Sequence, residues 1–313
     1  MKKTHSAYIQ LSLAMFFAGS TVVAGKYMVD IPIFISQTIS LMFALVFIFP
    51  LAIIKEGKIS QFKIKKKDWF LLFLQGLTGI FMFRIFILLG LRLTSAIEGG
   101  IIMSTTPAIL ALCSFLFLKE KITRRILLGI MISVSGILLL NTNGIVSGVT
   151  GSWSGILGNF FVLLAVVGEV LFTIFRKKQS FESHPLTTTA FVILFAFLLF
   201  LPVGAYHSLG FNWDLITPSQ LIPMFYYGAI CSALGYTCWF SGISKVKVNV
   251  AAGFSGVMPI SSVILSVIIL GEKITWQHII GMLLALLGIY TISSIRKSKL
   301  PQSSYLSSQP TSS

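Results

Sequence analysis

Two stretches of this chain, 152 residues apart, decide how it folds. Residues 107–123 read PAILALCSFLFLKEKIT, and residues 259–275 read PISSVILSVIILGEKIT. Each stretch begins at a proline, continues through apolar residues and closes on the tetrapeptide EKIT. A proline and a charged tetrapeptide do not align through hydrophobicity alone, so their agreement at one fixed spacing indicates an internal repeat.

The repeat extends outward from these two stretches in both directions. A shift of 152 residues lays residues 68–139 on residues 220–291 without a gap. Four pairs of glycines then coincide: Gly76 with Gly228, Gly90 with Gly242, Gly129 with Gly281, and Gly136 with Gly288. We therefore divide the chain into a first repeat (1–142), a second repeat (143–297) and a tail (298–313) whose Ser, Pro and Gln content predicts disorder on the cytoplasmic side.

The composition predicts a protein that lies in lipid. Hydrophobic residues make up 55 % of the chain, charged residues only 11 %, and the mean hydropathy is +0.91. A soluble globular domain carries about 25 % charged residues because its surface faces water. This chain has too few polar residues to cover the surface of a soluble protein of 313 residues.

The apolar residues fall into ten segments of about 20 residues, which is the length of helix that crosses a hydrocarbon layer. The segments are 7–29, 32–54, 69–91, 95–118, 125–142, 153–175, 185–205, 219–243, 248–270 and 276–295. They are continuously apolar rather than alternating as in a β-barrel, so we predict an all-α integral membrane protein with ten transmembrane helices. Because five spans per repeat is an odd number, the second repeat is predicted to be inverted in the membrane relative to the first.

The positions of the basic residues predict the orientation. With a cytoplasmic N-terminus, 20 of the 24 Lys and Arg residues lie on the cytoplasmic side, as the positive-inside rule requires. Lys26, Arg92 and Lys273 lie near the outer face, and Arg84 lies within a span. We predict a multi-pass protein of the cytoplasmic membrane with both termini in the cytoplasm. The net charge of +15 then follows from topology and does not indicate a nucleic-acid partner.

Inverted repeats are typical of secondary transporters, whose substrate site lies near the midplane between the two copies. A membrane-embedded enzyme would gather nucleophiles, metal ligands or paired carboxylates at one place, whereas the nine acidic residues here are scattered. We therefore predict no enzyme activity, no catalytic, metal or cofactor site, and no cofactor. A membrane-embedded enzyme or a non-transporting assembly factor is the alternative.

The chain resembles the ten-span EamA transporters of the drug/metabolite transporter superfamily over about residues 7–295. The resemblance rests on residues 94–121, which begin TSA, contain Pro107 and close on LKEK, and on residues 259–273, which close on LGEK. The first copy departs from the second at Lys119, where the second has Gly271. The resemblance implies a compact ten-helix fold around a central cavity. It also implies export of a small organic metabolite, such as an amino acid, a related compound or a drug.

Three ionisable residues lie within predicted spans: Arg84, Glu98 and Glu169. An ionisable group at bilayer depth costs several kcal/mol unless it is paired or hydrated, so each is a candidate functional residue. Arg84 would hold an anionic group of a substrate through its fork of donors, or would form a structural pair with Glu98. Glu98 also fits a capping box with Ser95. Glu169 would couple protons, bind a substrate amine, or meet a partner inside the bundle.

Other candidates come from the repeat itself. Tyr236 occupies the position equivalent to Arg84, and it is predicted with Trp239 to line an aromatic cavity wall. Asn249 is a candidate polar contact. Pro107 and Pro259 coincide and are candidate hinges, although hydroxyls at residues 104–106 would also satisfy a carbonyl freed by Pro107.

The remaining features concern partners. Small residues recur at helical spacing in the fifth and tenth segments and predict close helix packing, and whether one of these stripes forms a homodimer stays open. The predicted partners are a small-molecule substrate and the lipid bilayer.

Overall fold

A computed structural model describes residues 2–56, 65–118, 123–140, 152–179, 185–243, 245 and 254–293. All regular secondary structure within these ranges is helical, in agreement with the predicted all-α class. We number the helices in chain order: α1 (Lys2–Lys26), α2 (Ile33–Glu56), α3 (Lys66–Gly76 and Phe83–Leu93), α4 (Ala96–Met103), α5 (Thr106–Leu118), α6 (Arg124–Leu140), α7 (Ser152–Lys178), α8 (Pro185–Ser208), α9 (Pro218–Phe225 and Tyr236–Ile243), α10 (Val257–Leu270) and α11 (Trp276–Ser293).

Six helices in the described ranges are long and apolar enough to cross a membrane. They are His5–Lys26, Ile33–Ile54, Lys66–Leu93, Trp153–Arg176, Pro185–Ser208 and Pro218–Gly242. Shorter apolar helical stretches cover Ala96–Leu110, which spans α4 and the start of α5, and Val257–Leu270 and Trp276–Thr291. The predicted segments 125–142, 248–270 and 276–295 each extend at one end into residues outside the described ranges.

Helices α3 and α9 each contain a π-helical stretch at the same place in the repeat. The stretch in α3 covers Leu77–Met82, and the stretch in α9 covers Tyr226–Gly235. The 152-residue shift lays residues 226–235 on residues 74–83, so the two stretches overlap. A π-helix is rare and occurs most often at functional sites. The apolar pattern of the sequence did not predict either stretch.

The predicted segment 95–118 is interrupted rather than continuous. Helix α4 ends at Met103, a turn follows, and α5 begins at Thr106 with Pro107 as its second residue. The missing N–H of a proline is harmless at that position, since the first turn of a helix has unpaired donors in any case. The Thr106 hydroxyl donates to the Met103 carbonyl at 2.7 Å, as expected for a carbonyl freed by the proline. In the second repeat, Pro259 likewise lies in the first turn of α10.

Helices of the first repeat pack mainly against helices of the second. The most extensive contacts join α6 with α11, α2 with α8, α3 with α7, and α1 with α10. The stripes of small residues lie in the first of these interfaces: a Cβ at Gly136 would stand 3.1 Å from the Gly281 carbonyl oxygen, and a Cβ at Gly288 would stand 2.9 Å from that of Gly129. The two stripes therefore pack against each other within one chain.

Candidate functional site

A cavity of about 540 Å³ lies between the two repeats. Its walls come from α1, α3, α4 and α5 of the first repeat and from α7, α8, α9 and α10 of the second. Five of the sequence-predicted residues line it: Arg84, Pro107, Glu169, Tyr236 and Trp239. Residues that lie far apart in the chain are thus brought to one enclosed space.

Arg84 is buried at this cavity, with 2 % of its surface exposed. It lies in α3, two residues after the π-helical stretch. Its Nη1 donates to Gln37 Oε1 at 2.7 Å, and its Nη2 donates to Ser232 Oγ. Its guanidinium carbon lies 4.6 Å from the centre of the Tyr227 ring. These are neutral partners, and within the described part of the chain no carboxylate reaches the guanidinium within 4.0 Å.

The Tyr227 hydroxyl is a buried polar group at the site that has no hydrogen-bond partner among the described residues. Tyr227 is 2 % exposed and lines the cavity, and its hydroxyl accepts and donates no hydrogen bond among the described residues. Its backbone carbonyl accepts from Ser232 Oγ at 2.7 Å, five residues along the chain. This bond lies in the π-helical stretch of α9, which places Ser232 and Tyr227 around the same guanidinium.

Glu169 presents the opposite charge to the same cavity from α7. One carboxylate oxygen accepts from Thr106 Oγ1 at 3.0 Å, and Thr106 lies beside Pro107 at the start of α5. Tyr236 lines the same cavity as Glu169 and Arg84, and its hydroxyl lies 3.5 Å from the Gly79 carbonyl oxygen in the π-helical stretch of α3. The repeat therefore brings its two equivalent positions, Arg84 and Tyr236, to one site.

The rest of the cavity wall is largely apolar and aromatic. Phe172, Trp239 and Phe240 contribute rings, and Met103 and Met258 contribute flexible side chains. Such a cavity, with a few convergent polar groups in an apolar wall, is the usual form of a small-molecule site. At one end lies Arg176, whose guanidinium carbon is 5.3 Å from the centre of the Phe240 ring.

Glu98 does not belong to this cavity, and the structural pair between Arg84 and Glu98 does not form. The Glu98 carboxylate accepts from Thr94 Oγ1 at 2.7 Å and from Asn159 Nδ2 at 2.9 Å, and it lies 3.9 Å from His278 Nε2. Arg84 faces the cavity from a position deeper in α3, so the short connection between α3 and α4 does not bring the two side chains together.

Half of the predicted capping box is present at the start of α4. The Glu98 backbone N–H donates to Ser95 Oγ at 3.0 Å, as an N-cap serine requires. The Glu98 side chain turns to Thr94 and Asn159 instead of the Ser95 backbone. We call the group Lys26, Thr94, Glu98, Asn159, Glu272 and His278 the Glu98 cluster.

Two other predicted residues lie elsewhere. Asn249 falls outside the described residues. Pro259 is buried and does not line the cavity, although its neighbour Met258 does. Among the described residues, no group of three or more His, Cys, Asp or Glu side chains is arranged to hold a metal ion.

The sequence analysis missed Gln37 and Ser232, which hold Arg84. Gln37 is fully buried in α2 and stands in a short polar run, Ser36-Gln37-Thr38, within an otherwise apolar helix. A buried amide in an apolar span needs a hydrogen-bonding partner, so this run was a usable signal. Ser232 carried no such signal, since serine is common in membrane helices.

Comparison with known proteins identifies the family. The model of the EamA-like transporter family matches the chain twice, over residues 5–142 and 156–294. The chain is 36 % identical over 302 residues to "Uncharacterized transporter YetK" of Bacillus subtilis, which covers 96 % of this chain and 90 % of that protein. It is 28 % identical over 289 residues to an "Uncharacterized transporter" of Archaeoglobus fulgidus, covering 91 % and 98 % of the two chains.

The fold also occurs among solved structures. One chain, described as "Crystal structure of protein", superposes with a TM-score of 0.64 at 14 % sequence identity, over 92 % of this chain and 96 % of that chain. The resemblance noted from residues 94–121 and 259–273 is confirmed, because the two family matches fall on the two repeats. The chain is a membrane protein with two EamA domains and belongs to the EamA-like transporter family.

Proposed function

We propose that this protein is a secondary transporter whose substrate is a small organic metabolite with an anionic group, bound by Arg84. The observation that carries the proposal is the buried Arg84 guanidinium, which lines a cavity between the repeats and has only neutral partners among the described residues. A buried charge without a counter-ion is costly. A carboxylate or phosphate of the substrate would supply that counter-ion through a bidentate contact.

The size and lining of the cavity favour a metabolite rather than an inorganic ion. A volume of about 540 Å³ lies within the range of small-molecule sites. The aromatic wall formed by Phe172, Trp239 and Phe240 would contact an apolar portion of the substrate. The Tyr227 hydroxyl, which has no partner in the described part of the chain, would bond a polar group close to the one bound by Arg84.

The transport cycle in this proposal is alternating access by a ten-span bundle of two inverted five-helix repeats. The packing supports two equivalent repeats. In the repeat, α3 corresponds to α9 and α1 corresponds to α7, so the contact of α3 with α7 corresponds to the contact of α9 with α1. Both contacts are extensive. The paired π-helical stretches also follow this correspondence. One repeat then rocks against the other around the central cavity.

The direction we propose is export across the cytoplasmic membrane. The lining residues extend from Arg84 to Arg176 and Pro185, which lie at helix ends predicted to face the cytoplasm. In this state the cavity would load from the cytoplasm. Arg176 at its mouth would attract anionic metabolites.

Substitution of Arg84 tests the proposal. Cells that lack the protein and cells that overproduce it are compared by untargeted metabolite analysis, and any compound that the protein depletes is then measured with Arg84→Ala. We expect Arg84→Ala to abolish this depletion and Arg84→Lys to retain part of it, because a lysine keeps the charge without the planar fork.

Arg92 provides the matched control. It lies on the same helix and is exposed, and its Nη2 donates to the Ile31 carbonyl oxygen at 3.2 Å. Cells that produce Arg92→Ala should show the same depletion of the compound as cells that produce the parent protein. If Arg84→Ala transports normally, or if no compound responds to the parent protein, the proposal is wrong. The amount of folded protein is measured for each variant, so that a loss of transport is separated from a loss of folding.

A further inference from the structure

At one end of the cavity, helices of the two repeats are in direct contact. One helical turn beyond the lining residue Ser104, a Cβ at Gly100 would stand 1.8 Å from Ser262 Oγ of α10. A Cβ at Gly19 of α1 would likewise stand 2.0 Å from Ser261 Oγ. These glycines let the helices of the first repeat touch α10 of the second. We call these contacts of Gly19 and Gly100 with α10 the seam; along α4, Gly100 lies between the lining residue Ser104 and Glu98.

The Glu98 cluster lies beyond this seam and joins the repeats a second time. Glu98 of the first repeat accepts a hydrogen bond from Asn159 of the second at 2.9 Å and faces His278 of the second. Glu272 of the second repeat accepts from the backbone N–H groups of Ala96 and Ile97 of the first, at 2.9 and 3.0 Å. Each repeat therefore supplies a carboxylate that is held by the other.

The bonds of Glu272 are of a strong type. The N–H groups of Ala96 and Ile97 belong to the first turn of α4, where a helix has no internal acceptors for its donors. A carboxylate at this position gains two charge-assisted bonds and the favourable end of the helix dipole. Lys26 anchors the cluster by donating to the carbonyls of Leu91 and Thr94, and its charge interacts with both carboxylates.

We propose that the Glu98 cluster is the outer gate of the transporter, and that its bonds between repeats must break before the cavity opens to the outside. The inference rests on the alternating access of the proposed function. The lining residues Leu110, Arg176 and Pro185 lie toward the opposite helix ends. The cavity therefore extends away from the Glu98 cluster, toward the side predicted to be cytoplasmic. Removing the bonds of the cluster shifts the population toward the outward-open state.

Thiol labelling tests the gate without knowledge of the substrate. A cysteine is placed at Ala18, which is half-buried and lines the cavity, after Cys113, Cys231 and Cys238 have been replaced by serine. A charged, membrane-impermeant methanethiosulfonate is added to right-side-out and to everted membrane vesicles. The parent should be labelled in everted vesicles and only slowly in right-side-out vesicles.

Glu98→Gln and Glu272→Gln keep the side-chain shape and remove the charge. In right-side-out vesicles we expect each to be labelled at least about tenfold faster than the parent, the factor that corresponds to the loss of one charge-assisted bond. Asp214→Asn is the matched control. It removes a carboxylate on the side predicted to be external, and it is exposed and outside the cluster, so its labelling should equal that of the parent.

A second pair of variants acts on the seam instead of the charges. Gly100→Ala should also accelerate labelling from the outside, because its Cβ does not fit against Ser262. Adding Ser262→Gly should return the rate toward the parent value, since it removes both side-chain atoms that the new Cβ meets. This rescue shows that the variant protein is folded.

The results separate the gate from the proposed function. If Glu98→Gln, Glu272→Gln and Gly100→Ala are all labelled at the parent rate in right-side-out vesicles, the proposed gate is wrong, whatever the transport assay shows. Faster labelling in those variants supports the gate even if Arg84→Ala has no effect on any metabolite, which would contradict only the proposed substrate site. Slow labelling of the parent in everted vesicles would also contradict the proposed gate, because the cavity would then not be accessible from the cytoplasmic side.

Discussion

Glu169 offers the cavity a carboxylate whose one described polar partner is the Thr106 hydroxyl. A buried carboxylate in a transporter is expected to carry a proton or to meet a cationic group during the cycle. Thr106 belongs to the turn that begins α5, so a change in the protonation of Glu169 would act directly on the interrupted segment. This contact links the candidate coupling residue to the candidate hinge at Pro107.

Glu169→Gln tests coupling to protons. If Glu169 carries the proton, the variant should lose the pH dependence of efflux, because a carboxamide cannot titrate, while residual transport at one pH remains. The measurement is efflux of the depleted metabolite between pH 5.5 and 8.5. Thr106→Val serves as the control, since it removes the hydrogen bond and leaves the carboxylate in place, so its efflux should still depend on pH. A pH profile of Glu169→Gln that matches the parent would contradict the coupling role.

Gln37 orients the Arg84 guanidinium, and its effect on transport should differ from that of Arg84. Gln37→Leu removes the acceptor of Arg84 Nη1 and leaves the positive charge at the cavity. We expect the substrate concentration for half-maximal efflux to rise several-fold, because the guanidinium is no longer fixed, while the maximal rate is retained. Gln37→Glu should weaken transport far more, since it gives Arg84 the counter-ion that we assign to the substrate. Equal kinetics for the two variants would contradict this role.

At the scale of the helices, the π-helical stretches explain how α3 and α9 approach their neighbours. The wide turn in α9 includes Gly228, where a Cβ would stand 1.8 Å from the Ser40 carbonyl oxygen of α2. The wide turn in α3 includes Gly79, where a Cβ would stand 2.5 Å from the Phe172 side chain. The glycines therefore serve close packing at the same turns that position Arg84, Ser232 and Tyr236.

Gly228→Ala should lower the thermal stability of the purified protein. The new methyl group would meet backbone rather than a movable side chain, and such overpacking costs about 1–3 kcal/mol, which we expect to lower the Tm by roughly 5 °C. Gly155→Ala is the control, because a Cβ at Gly155 in α7 would meet nothing within 4 Å, and alanine is the better helix former. Its Tm should be unchanged or higher. A normal Tm for Gly228→Ala would show that α2 and α9 are not packed in this way.

At the scale of the whole molecule, the apolar segments and the 152-residue repeat were sufficient to predict the helical class, and the resemblance carried by residues 94–121 and 259–273 predicted the family. The segments and the repeat also placed Arg84, Glu169, Tyr236 and Trp239, because an ionisable or aromatic residue in a span is informative by its position alone. The partners of these residues were not predictable from local pattern. Asn159 and Glu272 reach the start of α4 from 61 and 176 residues away, and only the packing of the two repeats brings them there.

The π-helical stretches were missed for a different reason. A wide turn changes the helical register without changing composition, so residues 77–82 and 226–235 read as ordinary apolar helix. The expected pair of Arg84 and Glu98 fails for another reason: Arg84 lies deeper in α3 and donates to Gln37 and Ser232 at the cavity, so the short connection between α3 and α4 does not bring it to Glu98. Sequence spacing predicts neighbours well only along regular helix.

The proposed inversion of the repeats leads to a prediction that one labelling experiment decides. Lys67 and Ser219 are equivalent positions under the 152-residue shift, and both are exposed near the starts of α3 and α9. In parallel repeats these positions would lie on the same side of the membrane, whereas in inverted repeats they lie on opposite sides. With single cysteines in the background without native cysteines, an impermeant maleimide should label Ser219→Cys in intact cells and Lys67→Cys only after permeabilisation. Labelling of both positions in intact cells would contradict the inversion.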